Sequence, residues 1–429
     1  MTNSSEFVDM ALFTSEDSEK PSHSDNTEQT TETINNLFSF RQIGSVVKCI
    51  EPINGSVSMD YVRDLFLNQP ELQAIPVEQD DVVMGIITRK EVEAATSSAM
   101  KRLISSDCIK HTEKSPIILY AREYFENVVS KVTKISRTKG IFCFPVFNNN
   151  KNFYGLIFID DFEERLSMIR EQDLEKAKKI QQNMFPKKTE ISSLPFKVNI
   201  WNRMANKVGG DFYCTHKISD NFYIVGCFDV SGKNVAAALL TVLVSAFFSM
   251  MKYSTPVEFS SADTITSKLD KYLADVLPVG NFITGAICYI DIKDKKVKVQ
   301  NCGHTRIYDF LPIEKDNVKK IGISHIDASL PPFGMGEVAK ELEKSNNTKK
   351  STVLPLRQGL HIDLYSDGFT DMQTEDDIRF GDDNAKEFFI NQYSKNTSEI
   401  KKNIQEIVEH WVHKAPLADD ITVMDIRFI

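Results

Sequence analysis

The pattern of apolar and polar positions divides the chain into an unpatterned start and two differently patterned halves. Residues 1–36 are rich in Ser, Thr, Glu, Asp and Asn and contain few large apolar side chains. Such a segment buries too little apolar surface to offset the entropy lost on ordering, so we predict that it is disordered. From residue 37 onward, short apolar runs alternate with stretches of helical period, which predicts folded structure.

Two blocks of the first half repeat one pattern. Residues 74–92 read AIPVEQDDVVMGIITRKEV, and residues 143–162 read CFPVFNNNKNFYGLIFIDDF. In each block Pro-Val is followed by a polar turn and then by a Gly-led apolar run that ends in charged residues. This spacing predicts a small β-β-α unit that occurs twice. The pair resembles tandem CBS domains, which implies a sensor over residues 37–162 that binds an adenine nucleotide. Another small α/β sensor domain is the alternative.

The first copy contains the polar residues that the CBS resemblance associates with a nucleotide. In GIITRKE, Thr88 would contact phosphate or ribose, and Glu91 would contact the ribose hydroxyls. The second copy has Phe158 where the hydroxyl would be, so the resemblance implies one intact site and one lost site. An ordinary strand residue is the alternative for Thr88.

The C-terminal half follows residues 162–185, a charged stretch that contains neither Gly nor Pro. This composition favours a helix, and we assign residues 163–186 to a helical linker. The first helix of the next domain, residues 187–429, is the alternative. In that domain apolar strand patterns alternate with helical stretches such as Val235–Met251. Strands in hairpins with blocks of helices predict antiparallel sheets flanked by helices, an α+β fold. Residues 337–352 are polar and predict an extended surface loop.

Composition narrows the classes of function. The net charge of −9 argues against nucleic acid or an anionic membrane as the main partner. Seven Cys residues without a CxxC motif are typical of free thiols in a reducing compartment. The longest apolar run is short for a membrane span, and no signal-peptide pattern is visible. We therefore expect a cytoplasmic protein with no membrane segment.

Aspartates stand at the ends of apolar runs in the C-terminal half, next to Gly or Ser. They are Asp211, Asp229, Asp367, Asp419 and Asp420. Carboxylates gathered in one place do not all ionise unless cations hold them. Oxygen ligands without nearby His or Cys favour Mg²⁺ or Mn²⁺, and the pattern does not distinguish these two ions. The sequence therefore predicts a two-ion site that hydrolyses a phosphate ester.

The aspartates lie within a series of short motifs. KAKKIQQNMFP, VGGDFY, DVSGK, NCGH, LYSDG and DDITV follow one another in this order. Together they resemble the metal-dependent protein serine/threonine phosphatases (PPM family), in particular the SpoIIE-like class, over roughly residues 175–429. The resemblance implies a four-layer α-β-β-α sandwich with two Mn²⁺ or Mg²⁺ ions between the sheets at one edge.

The resemblance also implies roles for individual residues. The Asp229 carboxylate would bridge the two ions, and the carbonyl of Val230 would coordinate one of them. Asp367 would bind the ion that activates water, and Asp211 would be an outer ligand. Turn or capping carboxylates are the alternative for each aspartate.

The remaining candidates are less firmly placed. Asp419 aligns best with the last ligand, and Asp420 is the second choice. His304 is a candidate proton donor to the leaving oxygen, with a structural role as the alternative. The chain has Cys214 where the family has Asp, and no Arg directly precedes VGGD. Lys207 is the nearest cation and has a surface role as its alternative.

The prediction for the whole chain is a phosphatase under sensor control. The resemblance implies a phosphoserine or phosphothreonine protein as substrate, in particular an anti-sigma-factor antagonist. A pseudo-phosphatase and a nucleotide-binding scaffold are the alternatives. Apolar faces in the sensor half and the linker predict a homodimer.

Overall fold

The computed structural model describes residues 37–97, 107–251, 253, 261–315, 318–344, 350–413 and 416–429. The disorder predicted for residues 1–36 lies outside the described residues. The chain forms two compact units, the first ending at Gln172 and the second beginning at Asp173.

The first unit contains two three-stranded sheets, in the orders β1-β2-β3 and β4-β5-β6. Each begins with a parallel pair and ends with a hairpin. Its strands and helices are β1 (Ile53–Asn54), α1 (Met59–Asn68), β2 (Ala74–Gln79), β3 (Val82–Thr88), α2 (Arg89–Thr96), β4 (Leu119–Tyr120), α3 (Phe125–Lys139), β5 (Cys143–Phe147), β6 (Phe153–Phe158) and the start of α4 (Ile159–Gln182).

The two sheets repeat each other in detail. Both hairpins contain a register shift at the same point, opposite Gly85 in one and Gly155 in the other. A Cβ at Gly85 would lie 2.4 Å from the carbonyl oxygen of Glu113, and one at Gly155 would lie 2.5 Å from that of Lys48. Because Lys48 precedes the first sheet and Glu113 precedes the second, each sheet is crossed by the segment that leads into the other. The β-β-α repeat predicted from the sequence is therefore present, whereas its CBS identity stays a prediction.

The second unit contains two five-stranded antiparallel sheets, in the orders β14-β11-β10-β9-β8 and β13-β12-β15-β16-β7. After the end of α4, its elements are α5 (Lys188–Ser192), β7 (Lys197–Arg203), β8 (Asp211–Lys217), β9 (Phe222–Val230), α6 (Asn234–Met251), α7 (Ala262–Val276), β10 (Ile283–Asp291), β11 (Lys296–Cys302), β12 (Ile307–Lys315), β13 (Val318–Ile326), α8 (Glu337–Lys344), β14 (Thr352–Pro355), β15 (His361–Tyr365), α9 (Asp367–Thr370), α10 (Gly381–Gln392), α11 (Thr397–Val412) and β16 (Ile421–Arg427).

The sheets pack face to face, and helices cover both outer faces. Side chains alternate between the faces of a strand, and β9 is buried on both. Val225 and Cys227 face the core between the sheets, whereas Ile224 and Phe228 pack against α6 and α7. Helices α10 and α11 cover the second sheet in the same way. This confirms the predicted four-layer α-β-β-α sandwich.

Helix α6 contains the long apolar run of the sequence. Val244, Phe247 and Phe248 of this helix lie in the core against the sheet that contains β8 and β9. Among the described helices, none combines the length and the apolar character that crossing a membrane requires.

The prediction of an extended loop over residues 337–352 is wrong for residues 337–344, whereas residues 345–349 lie outside the described residues. Residues Glu337–Lys344 form α8, in which Val338 and Ala339 are buried. Asp270 of α7 explains the helix, because one of its oxygens accepts the Ala339 N–H at 3.0 Å and the other accepts the Gly334 N–H at 3.0 Å. A buried carboxylate thus caps a distant helix start, which satisfies amide groups that have no partner within the helix.

Candidate metal centre

The structure brings the predicted aspartates together at one end of the sandwich. Asp211 and Asp229 are direct partners on β8 and β9 in one sheet. Asp367 follows β15 in the other sheet, where β15 pairs with β16. Asp419 and Asp420 immediately precede β16. The end of the sandwich therefore collects carboxylates from both sheets.

Asp211 connects the two sheets. Its Oδ2 accepts hydrogen bonds from the hydroxyls of Ser366 at 2.7 Å and Thr422 at 2.6 Å. Burial raises the pKa of Asp211 to about 8, with the two hydroxyls opposing the rise and nearby aspartates adding to it. One carboxylate oxygen is thus held by the protein, which orients the other.

The pKa of Asp229 is raised further than that of Asp211. Burial raises the pKa of Asp229 to about 9, and the charges of Asp211, Asp367, Asp419 and Asp420 add to the rise. Such a carboxylate is ionised at neutral pH only when positive charge compensates it. The carbonyl oxygen of the next residue, Val230, points toward the Gly210 backbone, 3.0 Å from where a Cβ on Gly210 would lie.

The adjacent aspartates of DDITV differ in what surrounds them. Both carboxylate oxygens of Asp420 accept backbone N–H groups, from Ala205 at 2.7 Å and from Gly210 at 2.6 Å. Asp420 is also buried, so it braces the loop before β8. Asp419 is only partly buried, and its Oδ2 lies 3.0 Å from the Lys233 ammonium. This geometry favours Asp419 over Asp420 as the predicted ligand, because the Asp420 oxygens are already occupied by backbone N–H groups.

Asp367 lies at the start of a one-turn helix, where close packing fixes the backbone. Burial raises the pKa of Asp367, Asp419 and Asp371 add to the rise, and the Gly368 amide and Lys233 oppose it. A Cβ on Gly368 would lie 2.0 Å from the carbonyl oxygen of Asp420. Only glycine allows this approach, which keeps Asp367 and Asp419 adjacent.

His304 lies in a turn that Asn301 holds. The His304 N–H donates to the Asn301 side-chain oxygen at 2.9 Å. Its Nδ1 lies 3.0 Å from the Thr284 hydroxyl, which in turn donates to the Asp229 carbonyl at 3.3 Å. Burial lowers the pKa of His304 to about 4, with a backbone bond to Tyr365 opposing the fall. The ring is therefore neutral at pH 7. This does not favour the predicted role as an acid, which stays untested.

Gln181 is a site residue to which sequence reasoning gave no role. It is 5% exposed at the end of α4. Its amide nitrogen donates to the Gly209 carbonyl at 2.7 Å and to the Thr241 hydroxyl at 3.2 Å, and its oxygen accepts the Gly209 N–H at 3.2 Å. The Gln181 side chain thus hydrogen-bonds both the N–H and the carbonyl of Gly209 in VGGD. Its place in the IQ motif was the only sequence signal.

Thr88 and Glu91, the predicted nucleotide contacts, form a capping box at the start of α2. Thr88 caps α2 by accepting the Glu91 N–H at 3.4 Å, and the Glu91 carboxylate accepts the Thr88 N–H at 2.7 Å. This capping box explains both residues without a ligand, so the nucleotide contacts stay a prediction.

Cys214 is 1% exposed, and burial raises its thiol pKa well above the usual range, which argues against a thiolate nucleophile.

The donor set fits hard divalent cations. In the described part of the chain, no three His, Cys, Asp or Glu side chains are already arranged to hold an ion by themselves. Mg²⁺, however, is commonly bound through one or two carboxylates and retains several waters. Asp229, Asp367 and Asp419 are carboxylates with no histidine or thiolate among them, and the raised pKa of Asp229 reflects charge that cations would compensate.

These pKa shifts predict how pH affects the stability of the protein without divalent cations. The pKa of Asp229 is raised to about 9 and that of Asp211 to about 8, from an ordinary 3.8. Between about pH 4 and pH 9 the folded state therefore binds more protons than the unfolded chain, so stability falls as pH rises. We expect the Tm in chelator to decrease from pH 5 to pH 9. Added Mn²⁺ should reverse the trend.

Asp229→Asn separates this effect from other titrations. The variant should have a higher Tm than wild type in chelator at pH 8, by at least about 3 °C, which corresponds to roughly 1 kcal/mol in a domain of this size. A wild-type Tm in chelator that increases from pH 5 to pH 8 would contradict the predicted charge cluster.

The α-β-β-α sandwich, with aspartates from both sheets at one end, has the features expected of a phosphatase domain of the PP2C type. Comparison with known proteins supports this class. Residues 219–429 match the family model described as Stage II sporulation protein E (SpoIIE). This part of the chain is therefore similar to the SpoIIE family, as the motifs predicted.

Individual relatives are more distant. Protein IcfG of Synechocystis sp. is 24% identical over 284 residues, which cover 59% of this chain and 41% of that protein. The chain thus spans about two fifths of the length of this curated relative. The SiaA-PP2C domain of Pseudomonas aeruginosa has a TM-score of 0.51 at 18% identity, covering 62% of this chain and 99% of that one. A SpoIIE phosphatase domain with a regulatory fragment, from Bacillus subtilis, has a TM-score of 0.40 at 14% identity, covering 54% of this chain and 63% of that one.

Proposed function

We propose that the chain is a metal-dependent protein serine/threonine phosphatase. The observation that carries this proposal is the cluster of aspartates at one end of the sandwich, where the pKa of Asp229 is raised to about 9 by burial and by its acidic neighbours. Clustered carboxylates with raised pKa values are typical of functional sites, and a site for two divalent cations requires such a cluster.

Asp229, Asp367 and Asp419 are the residues that we propose to hold the two ions, with Asp211 as an outer contact and Val230 contributing its carbonyl. When bound, the ions would lower the pKa of a water molecule and withdraw charge from the phosphoryl group. The protein fixes the backbone around these carboxylates at the end of the sandwich, where Asp229 and Asp419 are partly buried and Asp367 is exposed. Positioning of this kind accounts for most of the catalysis of phosphoryl transfer.

The neighbouring residues set that spacing. Asp420, at the start of β16, accepts hydrogen bonds from two backbone N–H groups of the loop before β8 and so holds this loop in place. Ser366 and Thr422 hold Asp211 against the opposite sheet. The two sheets are thus fixed to each other at the site. No covalent phosphoenzyme is required, since the buried Cys214 thiol is protonated at neutral pH.

The similarity to the SpoIIE family supports a proposal for the substrate class. We propose a phosphoserine or phosphothreonine protein, and in particular an anti-sigma-factor antagonist. Support comes from the SpoIIE family match over residues 219–429. A pseudo-phosphatase that binds such a partner without turnover is the competing function.

Hydrolysis of p-nitrophenyl phosphate by the full chain distinguishes the two functions. We expect turnover with Mn²⁺ or Mg²⁺ and none after chelation. Equal absence of turnover under both conditions, in protein that binds Mn²⁺, would favour the pseudo-phosphatase. Candidate phosphoproteins then identify the substrate.

We further propose that the first unit controls the phosphatase as a sensor and that the protein is a dimer. The support is the last turn of helix α4, where the Gln181 side chain hydrogen-bonds the N–H and the carbonyl of Gly209. Inserting two glycines after Asp173 in the full chain should change the basal rate, and sedimentation should show a dimer. An unchanged rate or a monomer at micromolar concentration would remove the support for this part.

A further inference from the structure

We propose that Lys233 is the cation that binds a phosphoryl oxygen of the substrate. This inference rests on the proposed phosphatase function and identifies a binding residue for it. A phosphate ester entering the cluster meets carboxylates from both sheets, which repel it. A positive side chain at the entrance would offset this repulsion and orient the phosphoryl group.

Lys207, the nearest cation in the sequence before VGGD, is directed elsewhere. Its ammonium lies 2.5 Å from a carboxylate oxygen of Glu175 on α4. Moving it to the cluster would break this ion pair. The structure therefore gives Lys207 a role in holding α4 rather than in binding substrate.

Lys233 is placed among the candidate ligands. Its ammonium lies 3.0 Å from Asp419 Oδ2 and donates to the Ala418 carbonyl at 2.8 Å. A lysine ammonium has three N–H donors, so one remains for another acceptor. The Lys233 side chain is 57% exposed and that of Asp419 is 33% exposed. A long, partly exposed side chain of this kind can shift by an ångström or more without disturbing the core.

A cavity adjoins this ammonium. It has a volume of about 280 Å³, and its wall includes Gly368, Ala418 and Asp419 together with three further acidic residues, Asp371, Glu375 and Asp377. Both residues that Lys233 contacts are therefore part of the wall, and Gly368 adjoins the candidate ligand Asp367. Because this wall is acidic, an anion in the cavity requires a nearby positive charge, and Lys233 places one beside Asp419.

Asp419 links the two roles of the site. In the structure Lys233 compensates the charge of Asp419. A divalent cation held by Asp419 would compete with Lys233 for that carboxylate. The ammonium would then be available to donate to a phosphoryl oxygen, so that cation and phosphate are bound together rather than in competition.

The competing explanation is that Lys233 only neutralises Asp419 when no cation is present. The two explanations differ in what removal of the ammonium does. A neutralising role predicts tighter Mn²⁺ binding and unchanged phosphate binding in Lys233→Met. A phosphate-binding role predicts weaker phosphate binding whatever happens to Mn²⁺ affinity.

The test is calorimetric titration of the full chain, first with Mn²⁺ and then of the Mn²⁺-loaded protein with inorganic phosphate. We expect Lys233→Met to weaken phosphate binding by at least about tenfold, as expected for loss of a charge-assisted hydrogen bond. Lys233→Arg should restore most of the affinity. Lys207→Met, which removes an equivalent charge 26 positions earlier in the sequence, should bind phosphate like wild type.

Phosphate affinity that stays within twofold of wild type in Lys233→Met, with Mn²⁺ binding preserved, would overturn the inference. Absence of phosphate binding by wild-type protein would also overturn it. Hydrolysis of p-nitrophenyl phosphate, measured on the same samples, tests the proposed function separately. A wild-type enzyme that turns over while Lys233→Met keeps its phosphate affinity leaves the function intact and rejects only the role of Lys233.

Discussion

Asp229→Asn should lower the rate of phosphate ester hydrolysis by at least about a hundredfold, on the order of 3 kcal/mol of activation free energy. The substitution preserves size but removes the charge that we propose to hold both cations. Its pKa, raised to about 9 by burial and by four neighbouring aspartates, shows how strongly this position requires positive charge. The measurement is kcat at saturating Mn²⁺ with p-nitrophenyl phosphate.

The matched control is Asp220→Asn. Asp220 follows the adjoining strand β8, its side chain is 90% exposed, and it pairs with Lys217 at 2.7 Å. We expect its kcat to equal that of wild type, because surface ion pairs contribute little. Normal turnover by Asp229→Asn would show that the assignment of the site is wrong.

Gly368→Ala should reduce activity about a hundredfold even though it changes no ligand. The added Cβ would lie 2.0 Å from the Asp420 carbonyl oxygen, so the backbone at the start of α9 has to move. Displacement of a positioned group by about 1 Å costs on the order of a hundredfold in rate. We also expect destabilisation of roughly 1–3 kcal/mol, measured by denaturant unfolding.

Gly322→Ala is the control for the general effect of adding a methyl group. In strand β13 the nearest atom to the added Cβ is a carbonyl oxygen 3.4 Å away, which is ordinary contact. This variant should retain both stability and activity. Full activity in Gly368→Ala would mean that the separation of Asp367 and Asp419 does not matter for turnover.

The fold was predictable where the apolar pattern within a single strand or helix is sufficient to identify that element. Strand β9 reads as a continuous apolar run because both of its faces are buried, with Val225 toward one core and Phe228 toward another. The same holds for α6, whose apolar run is long enough to identify without its partners. The aspartates were recognisable because each adjoins a turn residue in a recognised motif.

Features that depend on distant residues were not predictable. Helix α8 is polar enough to resemble a loop, and its start is stabilised by Asp270, more than sixty positions earlier. The different roles of Asp419 and Asp420 are also invisible in the sequence, because they depend on which backbone amides each carboxylate meets. Long-range hydrogen bonds of this kind have no periodic signature.

The most direct test of the carboxylate centre is anomalous diffraction at the manganese edge from crystals of the full chain grown with Mn²⁺. We predict two anomalous peaks a few ångströms apart, with Asp229 contacting both and Asp367 and Asp419 contacting one or the other. Peaks located elsewhere, or Asp229 without a bound ion at saturating Mn²⁺, would contradict the proposal that this cluster is a two-ion phosphatase centre.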